Sequence, residues 1–367
     1  MFTIANIRPF GHNVGNAAIS FSMKNMLHEV FGRLVSVVEY PATSKYDSKK
    51  AGLSASVIHE INRYADGVII GGGNLYENNE IDIDPTALDH LQVPLMLFSN
   101  SRGRIYDRYG RLSERTDVIP DSKLHALVKR ADISLSRDSA THDHIVKMGL
   151  GDRDSVGWCP TINTGRYVNQ LPDLPESEEV GVLISVRTPN LMNLPYRLQN
   201  KVTKDIEDTI DMLRDLGHRR IRLLCNDSRD LDFSNSFRMS KKVDTVFTSD
   251  VYLYLALLKS ASLVVSYRLH ATLPSISMGI PAVNISYDER AISLFEDLGL
   301  TEHHINYVEL EHCFRDELES RLNTAKDIAG SYEQIHASWA ERSKIQLASL
   351  HQFKDLVSKY VESGRQV

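Results

Sequence analysis

In "LVVSYRLHATLPSISMGIP" (263–281), Arg268 and His270 stand one residue apart, after an apolar run of strand type and before a helical one. An arginine packed there without a counter-charge would be strongly unfavourable, so an acidic neighbour or an anionic ligand must lie close to it. A histidine beside it can hold or deliver a proton near neutral pH. Pro274 fits the first turn of a helix, which dates the start of that helix to between 269 and 273 and aims its positive end at whatever the pair holds. The run "ISVRTPN" (184–190) ends in the same manner with Arg187, whose planar fork can take a phosphate or a carboxylate in two parallel hydrogen bonds.

Other segments place reactive or ligand-holding residue types after apolar runs. "GHNVGNAAISFSMKNML" (11–27) carries Asn13 and Asn16 at a glycine-rich helix start, where the backbone can hold an anion and Asn16 can serve as N-cap. "IIGGGNLY" (69–76) lets the backbone come close to a ligand or to another segment through Gly72, Gly73 and Asn74. It lacks the spacing of a dinucleotide fingerprint and the Gly-Lys-Ser/Thr of a P-loop. "FSNSRGRIYDRYGRLSERT" (98–116) holds Arg102, Arg104, Arg108, Arg111 and Arg115, either as a solvated loop or as a source of positive potential for a cleft. Arg137 and Asp138 end a further run, where the pair can secure the loop or meet a ligand. His142 and His144 are two apart and would not share a helix face, so they make a poor metal pair.

The elements that must position these residues alternate. Strand-type runs at 34–40, 67–73, 93–99 and 132–136 are interleaved with helical periods such as "AGLSASVIHEINRY" (51–64). "NQLPDLPESEE" (169–179) interrupts the pattern as a linker, and a second alternation follows with runs at 180–187, 221–227, 262–267 and 281–287. Continuous apolar strands indicate sheets covered on both faces, so each half reads as an α/β unit with a parallel sheet, and ligands in such sheets bind beyond the strands' carboxyl ends. The expected division is a first domain at 1–172, a second at 178–330 and a helix at 331–367. Leu350, Phe353, Val357, Tyr360 and Val361 form one stripe of that last helix, fitted to packing across the domains.

A chain of 367 residues suits two domains and hence a cleft. A net charge of -6 disfavours nucleic acid as a partner, and no run approaches the roughly 20 apolar residues of a membrane span, leaving only peripheral membrane contact. Three scattered cysteines without ligand spacing imply neither a disulfide framework nor a metal site. With no secretory pattern at the N-terminus, the cytoplasm is the expected compartment. Oligomeric state is not legible.

"GHNVGNAAI", "ADGVIIGGGNLY", "SLSRDSATHDHIVKMGL", "ISVRTPN" and above all "LVVSYRLHATLPSISMGIPAVNISYDER" occur in the order and spacing of the polysaccharide pyruvyl transferase family, which the chain resembles over roughly residues 8–300. The resemblance implies two Rossmann-like domains in a GT-B-like arrangement. It also implies transfer of the pyruvyl group of phosphoenolpyruvate, the co-substrate, to saccharide hydroxyls as a ketal, with no further cofactor. Arg187, Arg268 and His270 fall on the family's donor-binding positions, with His270 and Arg268 expected to be catalytic. Gly72, Gly73 and Asn74 are expected on the donor, and Asn13, Asn16, Arg102, Arg137 and Asp288 as acceptor or loop contacts. Asp138, Asp288 and Glu289 are candidates for the base. The chain departs from the family pattern at Asn16, where a carboxylate is frequent, at Arg290, where a lysine is usual, and in its arginine-rich insert. A sugar-nucleotide glycosyltransferase is the alternative on this architecture, followed by a saccharide-binding protein without catalysis. The acceptor, free, lipid-linked or part of a glycan, is left open.

Overall fold

The computed structural model describes residues 1–32, 35–46, 50–175, 179–310, 313–327 and 331–364. The first half contributes strands β1 (Phe2–Arg8), β2 (Val35–Pro41), β3 (Gly67–Gly73), β4 (Leu95–Asn100), β5 (Ile105–Tyr106), β6 (Leu112–Ser113), β7 (Ile133–Ser136) and β8 (Ser155–Val156). The second half contributes β9 (Val182–Val186), β10 (Ile221–Cys225), β11 (Asp244–Phe247), β12 (Leu263–Ser266), β13 (Ala282–Ser286) and β14 (His304–Asn306). Two six-stranded sheets result, ordered β2-β1-β3-β4-β7-β8 and β11-β10-β9-β12-β13-β14, with parallel pairing throughout both; β5 and β6 form a separate antiparallel hairpin. The fold is therefore α/β with two Rossmann-like sheets.

Both-sided burial explains the continuous apolar strands. Along β3, Ile69 enters the core that fills the space between the halves, whereas Val68 and Ile70 enter a second core on the opposite face. The larger core runs without a break into the second half, through residues such as Val182 and Leu255, so the halves share an apolar interior. Among helices, Val14–Phe31 and Leu269–Ser277 meet across this seam. The helix Ser331–Glu362 also spans it: His336 Nε2 lies 2.9 Å from the Ile276 carbonyl and Arg342 donates to the Asp297 carbonyl, while Phe353 packs on Phe31 and Lys354 donates to the Val30 carbonyl. Leu350, Phe353 and Val357 of its stripe are buried, and Val361 is exposed.

The expected strands are present with ends shifted by a residue or two, and β1, β8, β11 and β14 are additions to the two sheets, as is the β5–β6 hairpin beside them. Leu53 precedes its helix, which spans Ala55–Tyr64 and buries Val57, Ile58 and Ile61. In the second sheet the chain direction of the crossovers reverses between β9 and β12, and in the first between β1 and β3. Such switch points open a crevice at the strands' carboxyl ends, and both crevices face the same mouth.

Candidate active site between the two sheets

The mouth encloses about 860 Å³, open solvent at its rim included. Asn13, Asn16, Asn74, Arg115 and Arg137 reach it from the first half, and Arg187, Arg268, His270, Asp288 and Arg290 from the second. The helix starting at Val14 is capped by Asn13, whose side chain accepts from the Gly15 amide at 3.0 Å; Asn16, expected as the cap, lies inside the first turn. Val14 donates to the Asn226 carbonyl at 2.8 Å, and Asn13 and Asp227 form an antiparallel bridge, so backbone ties the two halves at the site. A Cβ on Gly15 would lie 3.0 Å from the Cβ of His270, which makes this glycine the one that admits the histidine to the first-half helix.

Arg187 follows β9 and Arg268 follows β12, the two strands flanking the switch point. The acidic neighbour that a buried Arg268 requires is Asp230, to which it is ion-paired. Asp230 also accepts from the Thr188 amide at 2.9 Å and its hydroxyl at 3.0 Å, and so ties both strand ends together. Ser266 Oγ accepts from the Arg268 amide, fixing the turn. Arg187 differs: its Nε donates to the Leu191 carbonyl at 2.8 Å, and among the described residues no carboxylate pairs with it. Burial, reinforced by the neighbouring Arg268 charge, lowers its pKa, so an anion arriving here relieves an existing electrostatic cost.

His270 sits in the first turn of the helix Leu269–Ser277. Pro274 lies well inside that helix, rather than in its first turn as the sequence suggested. Lacking an N–H, it leaves the His270 carbonyl without its helical donor, and the Tyr254 hydroxyl takes that role at 3.0 Å. Asn226 donates to the Tyr254 oxygen at 2.7 Å and accepts from Ser185, which completes a buried chain. His270 Nε2 is buried without a hydrogen-bond partner. Burial, then the charges of Arg137, Arg290 and Arg268, push its pKa well below the ordinary histidine value, which favours the neutral imidazole at pH 7.

Arg290 is shared by two carboxylates. Asp288 pairs with it and caps the following helix by accepting from the Ala291 amide at 3.1 Å, whereas Glu77 approaches it at 3.1 Å from the first half. Asp288 keeps a lowered pKa despite the opposing effect of burial, and is a poor base. Glu77 is fully buried and is pushed up to about 7. Of the other two base candidates, Asp138 is occupied with capping Thr141 and facing Arg137, and Glu289 binds Arg104 outside the mouth.

Gly72 and Gly73 do not line the mouth. A Cβ on Gly72 would press on Ile19 and the Ser99 carbonyl, and one on Gly73 on Ile19, so these glycines serve close packing, and Asn74 alone of the three reaches the cleft. Arg102 is also elsewhere, donating to Glu114 and lying 3.2 Å from His144. The arginine-rich insert contains the β5–β6 hairpin, which crosses to the second half: Ile105 bridges Asp288, Tyr106 donates to Glu309, and the Arg108 carbonyl accepts from the Tyr196 amide. Asp230, Glu77 and Tyr254 escaped the sequence reading. Asp230, just beyond β10, obeyed the strand-end rule that singled out Arg187; nothing local marks Tyr254. Among the described residues no cluster of three metal-ligating side chains occurs.

Two Rossmann-like sheets facing one cleft define the GT-B class of proteins. The Neisseria meningitidis UDP-GlcNAc 2-epimerase bound to UDP-GlcNAc aligns over 95% of this chain and 100% of its own at 10% identity with a TM-score of 0.54; Staphylococcus aureus MnaA, in complex with UDP, aligns over 92% and 90% at 12% identity and 0.51. At such identities the likeness concerns the fold alone. Sequence comparison resolves the family: the polysaccharide pyruvyl transferase model matches residues 13–289, and the chain belongs to that family. No curated protein matches it.

Proposed function

We propose that this protein moves the pyruvyl group of phosphoenolpyruvate onto two hydroxyls of a saccharide as a ketal. The reading is carried by the convergence of Arg187, Arg268 and His270 at the second sheet's switch point, with the Arg187 fork lacking a carboxylate partner among the described residues. Phosphoenolpyruvate bears a carboxylate and a phosphate, and guanidinium groups bind both in bidentate fashion. The second half is then the donor side and the first half the acceptor side, with Asn13, Asn16 and Asn74 offering amides to sugar hydroxyls.

The net reaction adds one hydroxyl across the C2=C3 bond of the donor, its oxygen to C2 and its proton to C3. A second hydroxyl then replaces phosphate at C2, and its proton departs with the phosphate. His270, whose burial favours the neutral ring, suits removal of a hydroxyl proton. An anion beside it favours the protonated ring, which suits delivery to C3. No cofactor beyond the donor is required by this balance. No described helix is long and apolar enough to cross a membrane, so a lipid-linked acceptor would be met at the bilayer surface. The proposed compartment is the cytoplasm, where phosphoenolpyruvate is made.

The test is incubation with phosphoenolpyruvate and a panel of oligosaccharides, reading phosphate release and the pyruvyl mass increment together. Release of nucleoside diphosphate from a sugar nucleotide, with phosphoenolpyruvate untouched, would identify a glycosyltransferase instead. Saccharide binding without turnover of either donor would identify a binding protein.

A further inference from the structure

The arginine-rich segment after β4 presents a surface that the proposed chemistry does not use. Its β5–β6 hairpin starts against Asp288 through the Ile105 bridge and returns to Arg115, and both Asp288 and Arg115 line the mouth. Two strands of two residues each would be marginal alone. They are held down by Tyr106, which donates to Glu309, and by the Arg108 carbonyl, which accepts from the Tyr196 amide. At the tip, Asp107 accepts from the amides of Tyr109 at 2.8 Å and Arg111 at 3.0 Å, and Gly110 takes the positive φ of 86° that closes the turn. The turn so fixed leaves Tyr109 64% exposed, with the guanidinium groups of Arg108 and Arg111 at 4.7 and 5.5 Å from its ring centroid. Tyr196, which opens the short helix Tyr196–Gln199, is equally exposed, and Leu191 and Asn193 just before it line the mouth. Arg111 is paired with Asp107, whereas among the described residues no carboxylate pairs with Arg108.

We propose that the hairpin tip and Tyr196 form a lip that binds an acidic oligosaccharide running out of the mouth. Tyr109 and Tyr196 pack on the apolar faces of its sugar rings, and Arg108 takes a carboxylate or phosphate group carried by the chain. The inference rests on the saccharide-acceptor reading above and narrows it to an extended, anionic acceptor. Tyrosine offers a large flat contact area with a polar edge and few rotatable bonds, which suits a sugar ring that is apolar on one face and hydroxylated at its rim. Because the lip adjoins the mouth at Asp288, Arg115 and Asn193, a sugar held at the reacting centre brings the following residues of its chain over the lip, and each contact raises the effective concentration for the other. The protein carries a net charge of -6, yet from Arg104 to Arg111 three arginines accompany one aspartate, which favours an anionic ligand against the sign of the whole molecule. A bilayer is the weaker match. The large apolar side chains exposed on the hairpin and the short helix are those two tyrosines alone, far less apolar surface than interfacial insertion needs.

The experiment reads binding of the full chain to an array of monosaccharides and oligosaccharides, neutral, carboxylated and phosphorylated, followed by calorimetric Kd values for the acidic glycan held most tightly. Acidic oligosaccharides should be preferred over neutral ones of equal length and over monosaccharides, with the preference fading at high salt. Arg108→Glu, which exchanges an attraction at an exposed site for a repulsion, should raise Kd roughly 5- to 30-fold, and Tyr109→Ser and Tyr196→Ser roughly 3- to 10-fold each, all with unaltered unfolding. Tyr64→Ser removes an exposed tyrosine that also lies beside an arginine, but at the entry to β3 on the opposite edge of the sheet, and should bind as the unaltered protein does. Binding indifferent to charge, binding of no glycan, or Kd values that the lip variants leave unchanged overturn the proposal. So does variant-sensitive sedimentation with phosphatidylglycerol vesicles in the absence of glycan binding, which assigns the lip to a bilayer. In the transfer assay the lip variants should raise acceptor KM and leave kcat and donor KM as they are. Transfer with acceptor KM unmoved in the variants retains the pyruvyl reading and removes the lip; lip-dependent glycan binding without turnover of phosphoenolpyruvate retains the lip and removes the pyruvyl reading.

Discussion

Replacing Glu77 by Gln tests the arrangement in which one guanidinium faces two buried carboxylates. Asp288 holds Arg290 and the Ala291 amide, so it stays ionised; Glu77 is fully buried and accepts from the Gly103 amide at 3.0 Å and from Ser101. Its pKa rises from 4.5 to about 7, chiefly through burial, with Arg290 only partly opposing the effect. Because the folded pKa lies above the unfolded one, the unfolded chain loses its proton first as pH rises. Stability from this group is present below the unfolded value and is lost as pH climbs through the folded value. The whole difference corresponds to about 3 kcal/mol, of which about 2 kcal/mol falls between pH 5.5 and 8. Urea unfolding of the unaltered protein and of Glu77→Gln across that interval should therefore give a difference that moves by about 2 kcal/mol in favour of the variant as pH increases. The offset at any single pH also contains the lost attraction to Arg290, so the slope is the quantity that bears on the argument. A flat difference would show that Glu77 ionises like an exposed glutamate and that the shared-guanidinium argument is wrong.

Arg187 and Arg268 should separate in their effects although both are assigned to the donor. Arg268→Ala strands Asp230 as an unpaired buried charge and should cost about 3–5 kcal/mol in chemical denaturation as well as activity, whereas Arg187→Met should lose donor binding with little change in unfolding. Equal stability of the two variants would remove Asp230 from its tying role. Tyr254→Phe should cost about 1–3 kcal/mol by orphaning the His270 carbonyl, and Pro274→Ala, which supplies a helical N–H to that carbonyl, should recover part of the loss in the double variant. Strict additivity of the two changes would refute the substitution of hydroxyl for amide.

The alternation of apolar runs with helical periods made two parallel sheets legible, because a strand buried on both faces must be apolar along its whole length. The same logic made Arg187, Arg268, Arg137 and Asn74 readable as strand-end residues directed to a cleft. It failed for Gly72 and Gly73, where freedom of the backbone serves packing against Ile19 and β4. It failed also for Arg102, since five arginines in and around one hairpin look alike until the segment is folded and Arg115 alone of them meets the mouth.

What the sequence by itself determined is the fold class and the family: local periodicity places residues at strand ends, and the Arg-Leu-His block and its neighbours carry the family. What only the tertiary structure decided is pairing and charge state. Asp230 is 38 residues from Arg268 and Glu77 lies in the opposite half from Arg290, so their contacts depend on how crossovers and halves pack. The lowered pKa of His270 likewise arises first from burial and then from Arg137 and Arg290, which reach it from distant parts of the chain, with Arg268 beside it adding to the effect. Local sequence encodes where a side chain leaves the backbone; the dielectric and the partners it meets there come from segments far away in the chain.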